Sequence, residues 1–561
     1  MLEKQGLCSD GACAIGSKEF GDSDDQMNDE DEQFAHGANA TTIGLAGKTA
    51  RKARFERQFI NSPSTASFPK RNRTARSPWD TDAGVLRGRR MRLSGNRVVG
   101  VLALCASVFA APLSVAQVAG KPAAQGKAAA APREADVPLA EFQVLLGTDE
   151  PKAVAALQRI DKRWRNAYAG MLLETLWFTR NRTAQAGIAQ LLARASGRPF
   201  DEDLNRWYQW LWSIEPGEHP DYAEFKAALY EQIDPRFREY FDNRPKAIIR
   251  LDEIRWGGVR RDGIPPLKNP KMIPARDATY LEDGNIVFGV AIDGDVRAYP
   301  KRILAWHEMV KDRIAGRELN GVYCTLCGSM ILYDVTVGGV HHELGTSGFL
   351  YRSNKLMYDH ATKSMWSTLA GTPVVGALVG KGIELKTLHV VTTTWGEWRK
   401  RHHGTSVLSL DTGHRRDYSE GAAYREYFAT DRLMFGVPKL DTRLANKAEV
   451  LALRFAEAPG EQLAIAADFL TANRVYHDRV GKLGFVVLTD SSGANRVYES
   501  RGVSFASWNG EDSARDRGGR IWKVEESGIA GPSGEKLKRL PAHRAFWFGW
   551  YSAYPKTRLV K

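Results

Sequence analysis

Two stretches of this 561-residue chain carry the same markers in the same order. Ile303-Leu304 followed by Asp312 answers to Phe469-Leu470 followed by Asp478, and Cys324 stands as far from Tyr333 as Thr489 does from Tyr498. Trp395, Trp398 and Thr405 recur at identical spacing as Trp547, Trp550 and Thr557. Markers in one order point to a duplicated unit covering about 250–435 and 445–561. Both stretches consist of short Val, Ile and aromatic runs punctuated by Gly, and Asp283-Gly284 and Asp293-Gly294 are hairpin signals. The duplicated part is therefore expected to be rich in antiparallel strand.

What the copies do not share is informative, because repeated units keep what folding requires. Cys324 faces Thr489, Cys327 faces Ser492, Gly328 faces Gly493 and His307 faces Asn473. The turn is kept in both copies, whereas the sulfurs and the imidazole are not. The first copy also has nine more residues between Tyr333 and Trp366 than the second has between Tyr498 and Trp522. The cysteines, His307 and the stretch around Gly345 to His360 are thus the candidates for function.

Ahead of the repeat, apolar residues return at helical spacing: Val154, Leu157 and Ile160, then Leu172, Leu173 and Leu176, then Ile188, Leu191 and Leu192. This pattern predicts short helices over 137–245, with Trp207, Tyr208, Trp210 and Trp212 on a buried face. The fold class expected is α+β: a helical N-terminal domain, then a strand-rich, internally duplicated C-terminal domain.

Residues 91–116 have the form of a secretory signal peptide: basic residues, an apolar run of 14 residues from Val98 to Ala111, and small residues up to Ala116. The run is shorter than the roughly 20 residues a membrane-spanning helix needs, so no span is expected in the mature protein. Residues 1–90 are expected to be a mis-called or disordered leader, with Met91 the true start, and 117–136 a flexible tether rich in Ala, Gly, Lys and Pro. The net charge of +13 is spread along the chain and accompanies no nucleic-acid-binding motif. A periplasmic or secreted protein is expected.

Of the five cysteines, Cys8, Cys13 and Cys105 precede the end of the signal peptide, leaving Cys324 and Cys327 as the mature pair. A Cys-x-x-Cys has three uses. As a redox couple, one sulfur needs a lowered pKa so that its thiolate attacks a disulfide. The residues after the pair read as a turn into a strand rather than a helix, so activation has to come from neighbours such as His307, Arg352 or Lys355. As a metal site, the pair needs further ligands. His307, His341, His342 and His360 are available, and a set of Cys324, Cys327, His307 and His342 would suit copper or zinc. As a structural disulfide, the four-residue loop would stabilise by only about 1–2 kcal/mol. Among the other histidines, His402-His403 is expected in an exposed basic loop, and His341-His342 at a hairpin tip with one residue out and one in.

Several ordered motifs resemble one known family. They are Trp256-Gly257-Gly258-Val259 with Asp262-Gly263-Ile264-Pro265, Arg297-Ala298-Tyr299-Pro300, Trp306-His307-Glu308, Tyr323 to Ser329, Ser347 to Tyr351 with Ser353-Asn354, Thr393 to Trp398, and Phe546 to Trp550. From about Ile249 onward the chain is similar to the bacterial family of domain of unknown function 3179. It departs from the family pattern at Thr325, where Pro is usual, and at Lys311, where Asn is usual. Some members are described as selenoproteins, and the resemblance therefore implies redox chemistry at Cys324 and Cys327. The expected activity is that of a thiol-disulfide oxidoreductase acting on an unidentified thiol or disulfide, in a pocket lined by Tyr351, Arg352 and Asn354. The alternatives are the copper or zinc site and a non-enzymatic scaffold with a structural disulfide.

Overall fold

The computed structural model describes residues 135–200 and 203–561. The expected leader, the signal peptide and all but the last residues of the tether lie outside the described residues.

The N-terminal layer is helical from Leu139 to Tyr230 and closes with a 3-10 turn, Pro235–Tyr240. Side chains mark the helix starts. Asp149 accepts from the Lys152 N–H (3.0 Å) and Asn181 from the Ala184 N–H (3.0 Å), satisfying amides that have no intrahelical partner. In the Trp-rich helix Leu204–Ser213, Trp207, Tyr208, Trp210, Leu211 and Trp212 are buried. A fully buried Lys226–Glu174 ion pair, with the hydroxyls of Tyr222 and Tyr230 donating to the same carboxylate, ties two helices together. This layer packs on a five-stranded antiparallel sheet that contains the hairpin Leu344–Tyr351 and Asn354–Asp359. Phe349, Leu356, Tyr358 and Met365 share one apolar core with the helices.

The strand-rich part is built twice over. In the first copy, Val391–Thr394, Ile286–Ile292, Asp295–Pro300 and Ser406–Leu408 lie side by side in that order. In the second, His543–Phe546, Glu449–Arg454, Gln462–Ala466 and Arg558–Val560 repeat the order. The fourth strand runs parallel to the third in both copies. An antiparallel meander follows each: Met309–Ile314, Arg317–Cys324 and Ser329–Asp334, answered by Val475–Val480, Leu483–Thr489 and Asn495–Glu499. The tryptophan markers are explained by one bond made twice. The Trp398 indole donates to the Thr405 hydroxyl and the Trp550 indole to Thr557, each at 3.0 Å.

Two local expectations are corrected. Asp293-Gly294, with both φ values positive, does turn the hairpin between Ile286–Ile292 and Asp295–Pro300. Asp283-Gly284 instead lies ahead of the first of these strands, where the Asp283 carbonyl accepts from the Gly396 N–H (2.9 Å). His402 is half-buried rather than exposed, with its ring against Trp398 (centroids 4.2 Å apart); only His403 faces solvent. The aromatic wall of Trp398 withdraws the first of the two imidazoles from water.

Candidate functional site

Cys324 ends one strand and Ser329, its cross-strand partner, begins the next. Between them the Cys327 N–H donates to the Cys324 carbonyl (3.1 Å), and Gly328 takes a left-handed φ of 60°. A side chain at Gly328 would also strike the Phe546 ring at 2.9 Å, so glycine is required twice over. Both cysteines are free thiols and both are buried, at 1% and 0% exposure.

The two sulfurs are unequally placed. Burial alone pushes the Cys324 thiol up, but hydrogen bonds from the Cys327 thiol and from the N–H groups of Lys355 and Cys327 outweigh it, leaving Cys324 below the usual thiol range. Burial and the bond to Cys324 drive Cys327 well above that range. The two thiols are thus pushed in opposite directions by unequal surroundings. Cys327 Sγ also accepts from Asn354 Nδ2 (3.3 Å) and lies 3.4 Å from the Ser353 carbonyl.

Those contacts come from the hairpin in the inserted stretch. Its turn is Arg352-Ser353, both in the left-handed region (φ 49° and 62°), and it presents Asn354 and Lys355 to the sulfurs. The Lys355 ammonium is directed at Glu308 (3.1 Å), whose other oxygen accepts from the Tyr424 hydroxyl (3.3 Å). Arg352 points elsewhere, pairing with Glu253 and donating to the Ser552 carbonyl (2.9 Å). Of the three residues expected around the pair from this loop, Asn354 reaches sulfur, while Arg352 serves to anchor the turn.

The second copy completes the enclosure. Phe546 donates its N–H to the Cys327 carbonyl (2.7 Å), and a Cβ on Gly549 would sit 3.1 Å from Cys327 Sγ. The contact is reciprocal: Thr393 of the first copy meets Ser492 of the second at 3.2 Å, and Glu397 accepts from Ser491 at 3.1 Å. Glu397 occupies the place in the repeat that Gly549 occupies opposite the cysteines. The stretch after Ser406–Leu408, the last strand of the first copy, crosses the pair as a strap. Its Tyr427 hydroxyl donates to the Leu326 carbonyl (2.7 Å), the Phe435 carbonyl accepts from Ser353 Oγ (2.8 Å), and Tyr427 and Val437 pack with both cysteines in one apolar cluster. Periodicity cannot reveal such a strap. The Gly549 for Glu397 exchange was open to reading from the repeat alignment.

The histidines are held away from the sulfurs. His307 Nδ1 donates to the Pro265 carbonyl (2.8 Å), and Nε2 accepts from the Tyr418 hydroxyl (2.5 Å). Burial lowers its pKa to about 4, with His414 and Arg416 adding repulsion. His342 donates from Nδ1 to Asp359 (2.9 Å) and His360 stacks on Tyr358. Among the described residues no group of three or more His, Cys, Asp or Glu side chains is gathered to hold a metal ion. The copper or zinc set of Cys324, Cys327, His307 and His342 is thus not assembled, because both His307 nitrogens are spent on a carbonyl and a phenol. No helix among the described residues is long and apolar enough to cross a membrane.

Comparison with known proteins agrees with the motifs. No curated protein and no solved structure matches the chain. The model of a family described as protein of unknown function (DUF3179) matches residues 261–557, which contain the cysteine turn, the hairpin, the strap and most of both copies of the repeat. The chain belongs to that family.

Proposed function

We propose that the chain is a thiol-disulfide oxidoreductase that uses Cys324 as the attacking sulfur and Cys327 as the resolving one. The observation that carries this is the unequal packing of the pair, with Asn354, Phe546 and Gly549 gathered on Cys327 by contacts that the sulfur-free copy of the turn does not have, and with the two thiols pushed in opposite directions. Asp490, Ser492 and Gly493 close that second turn without sulfur, with the Gly493 N–H donating to the Asp490 carbonyl (3.1 Å). Folding therefore gives no reason for cysteine in the first.

In the forward step the Cys324 thiolate attacks one sulfur of a substrate disulfide. A mixed disulfide forms, and the second substrate sulfur leaves as a thiolate and takes up a proton. Cys327 then loses its proton and attacks Cys324, releasing the first substrate thiolate and closing a Cys324–Cys327 disulfide. The protein dithiol is oxidised by two electrons and the substrate disulfide is reduced. Both sulfurs are buried, so the strap over 421–437 has to move before a substrate arrives.

The test is trapping. The Cys327→Ser variant should accumulate a mixed disulfide with an added aromatic disulfide, seen as an added mass on Cys324, and Cys324→Ser should not. A wild-type Cys324–Cys327 disulfide that resists strong reductant in the folded protein would refute a redox role. Export belongs to the same proposal, supported by the signal-peptide pattern at 91–116. The mature N-terminus should lie near Gln117, and a secreted product retaining Phe55 or Trp79 would exclude it.

A further inference from the structure

A second polar site lies on the same meander. Asn320 is 2% exposed, and neither its Nδ2 nor its Oδ1 has a hydrogen-bond partner within the protein. A buried primary amide left wholly unpaired is costly, because it gives up its water partners for nothing. Asn320 lines a cleft of about 180 Å³ together with Lys268, Lys311, His342 and Glu343.

Register explains the grouping. Lys268 is paired with Lys311, and Lys311 with Asn320, across three adjacent strands. Directly paired residues project from the same face of a sheet, so two ammonium groups and the amide form one row. The other charges of the cleft are largely committed. Asp312 accepts from Arg297 (2.8 Å) and Tyr299 (2.6 Å), His342 is bonded to Asp359, and His341 is paired with Glu318 (3.3 Å). Glu343 balances Lys311 at 3.1 Å. Lys268 makes no ion pair among the described residues and stands beside an amide offering two N–H donors and a carbonyl acceptor. Burial, with repulsion from Lys268, already holds the Lys311 ammonium below its usual range, as expected where a negative charge would be welcome.

We infer that this cleft binds a small monocarboxylate carrying a hydroxyl on the adjacent carbon. The carboxylate sits against Lys268 and Lys311, one of its oxygens accepts from Asn320 Nδ2, and the hydroxyl donates to Asn320 Oδ1. An amino group in the hydroxyl's place would bring a third cation beside two lysines, which favours the neutral donor. The site is separate from the cysteine pair and does not depend on its chemistry.

The experiment is a thermal-shift and calorimetric titration of the full chain with lactate, propionate and lactamide as probes. Lactate should stabilise the protein saturably, and propionate, which leaves Oδ1 unpaired, and lactamide, which lacks the charge, should each bind about tenfold more weakly. Asn320→Leu, an apolar near-isostere expected to fold, should bind lactate and propionate equally. Lys268→Met, a change at an exposed position, should weaken both about tenfold while leaving cysteine alkylation unchanged. Absence of any saturable lactate binding up to about 50 mM, a range that covers weak millimolar sites, would overturn the inference. So would lactate binding that is unaltered in both variants.

Discussion

At the scale of single residues, the sulfur environment rests on small side chains. Gly549 is helical, and in an open helix Gly→Ala would be favourable by about 1 kcal/mol. Here the new methyl would stand 3.1 Å from both Cβ and Sγ of Cys327. Overpacking of about 1–3 kcal/mol opposes the helix gain, so the Gly549→Ala chain is expected to be less stable in denaturant titration. Its cysteine alkylation rates should change as well, which a purely remote helix substitution would not cause. The identity of Gly549 could be read against Glu397 from the repeat; its contact with Cys327 could not, because nothing in the local sequence records that the turn of one copy docks on the helix of the other.

At the scale of elements, the strap and the cysteine turn make opposite predictions. The Tyr427 hydroxyl donates to the Leu326 carbonyl across the pair. Tyr427→Phe removes that bond, worth about 1 kcal/mol, and should speed native-state alkylation of Cys324 roughly fivefold by raising the open population. An unchanged rate would mean that the thiols are reached by another path. The second turn is the converse case. A Thr489→Cys, Ser492→Cys double variant should fold, since this turn is closed by its backbone and by Asp490. It should not yield a second reactive pair. Arg496 lies 2.8 Å from Asp490, and Glu397 rather than a glycine faces this turn, while the Asn354-Lys355 hairpin serves the first copy alone. Mass spectrometry after brief alkylation would tell the two pairs apart. The hairpins themselves were legible from strand texture; the strap was not, because its contacts are long-range and carry no period.

At the scale of the whole molecule, three withdrawn histidines, His307 buried and His389 and His543 half-buried, make stability depend on pH. Burial lowers His307 to about 4, and His389 and His543 to about 3, with nearby Arg539 and Arg454 reinforcing the last two. In the unfolded chain each titrates near 6.5. Between these values the unfolded state binds more protons, so stability rises with pH over this interval and is lost as the pH falls from about 6.5 toward 4. Denaturant midpoints measured across that interval should fall, and His307→Asn should flatten the fall. A midpoint independent of pH would show that these rings are hydrated.

By itself the sequence determined the α+β class, the helical layer, the duplication and the cysteine turn, because each is written in local periodicity, turn residues or matched spacing. It also singled out Cys324 and Cys327 by comparison with Thr489 and Ser492. The tertiary structure alone decided which groups meet the sulfurs. His307, adjacent in the chain to Glu308, turns its ring to Pro265 and Tyr418, while Asn354, Phe546 and Gly549 arrive from afar. The physical reason is that the acidity of a buried thiol is set by the few donors and charges packed around it, and those neighbours are chosen by strand register and by the docking of one copy on the other.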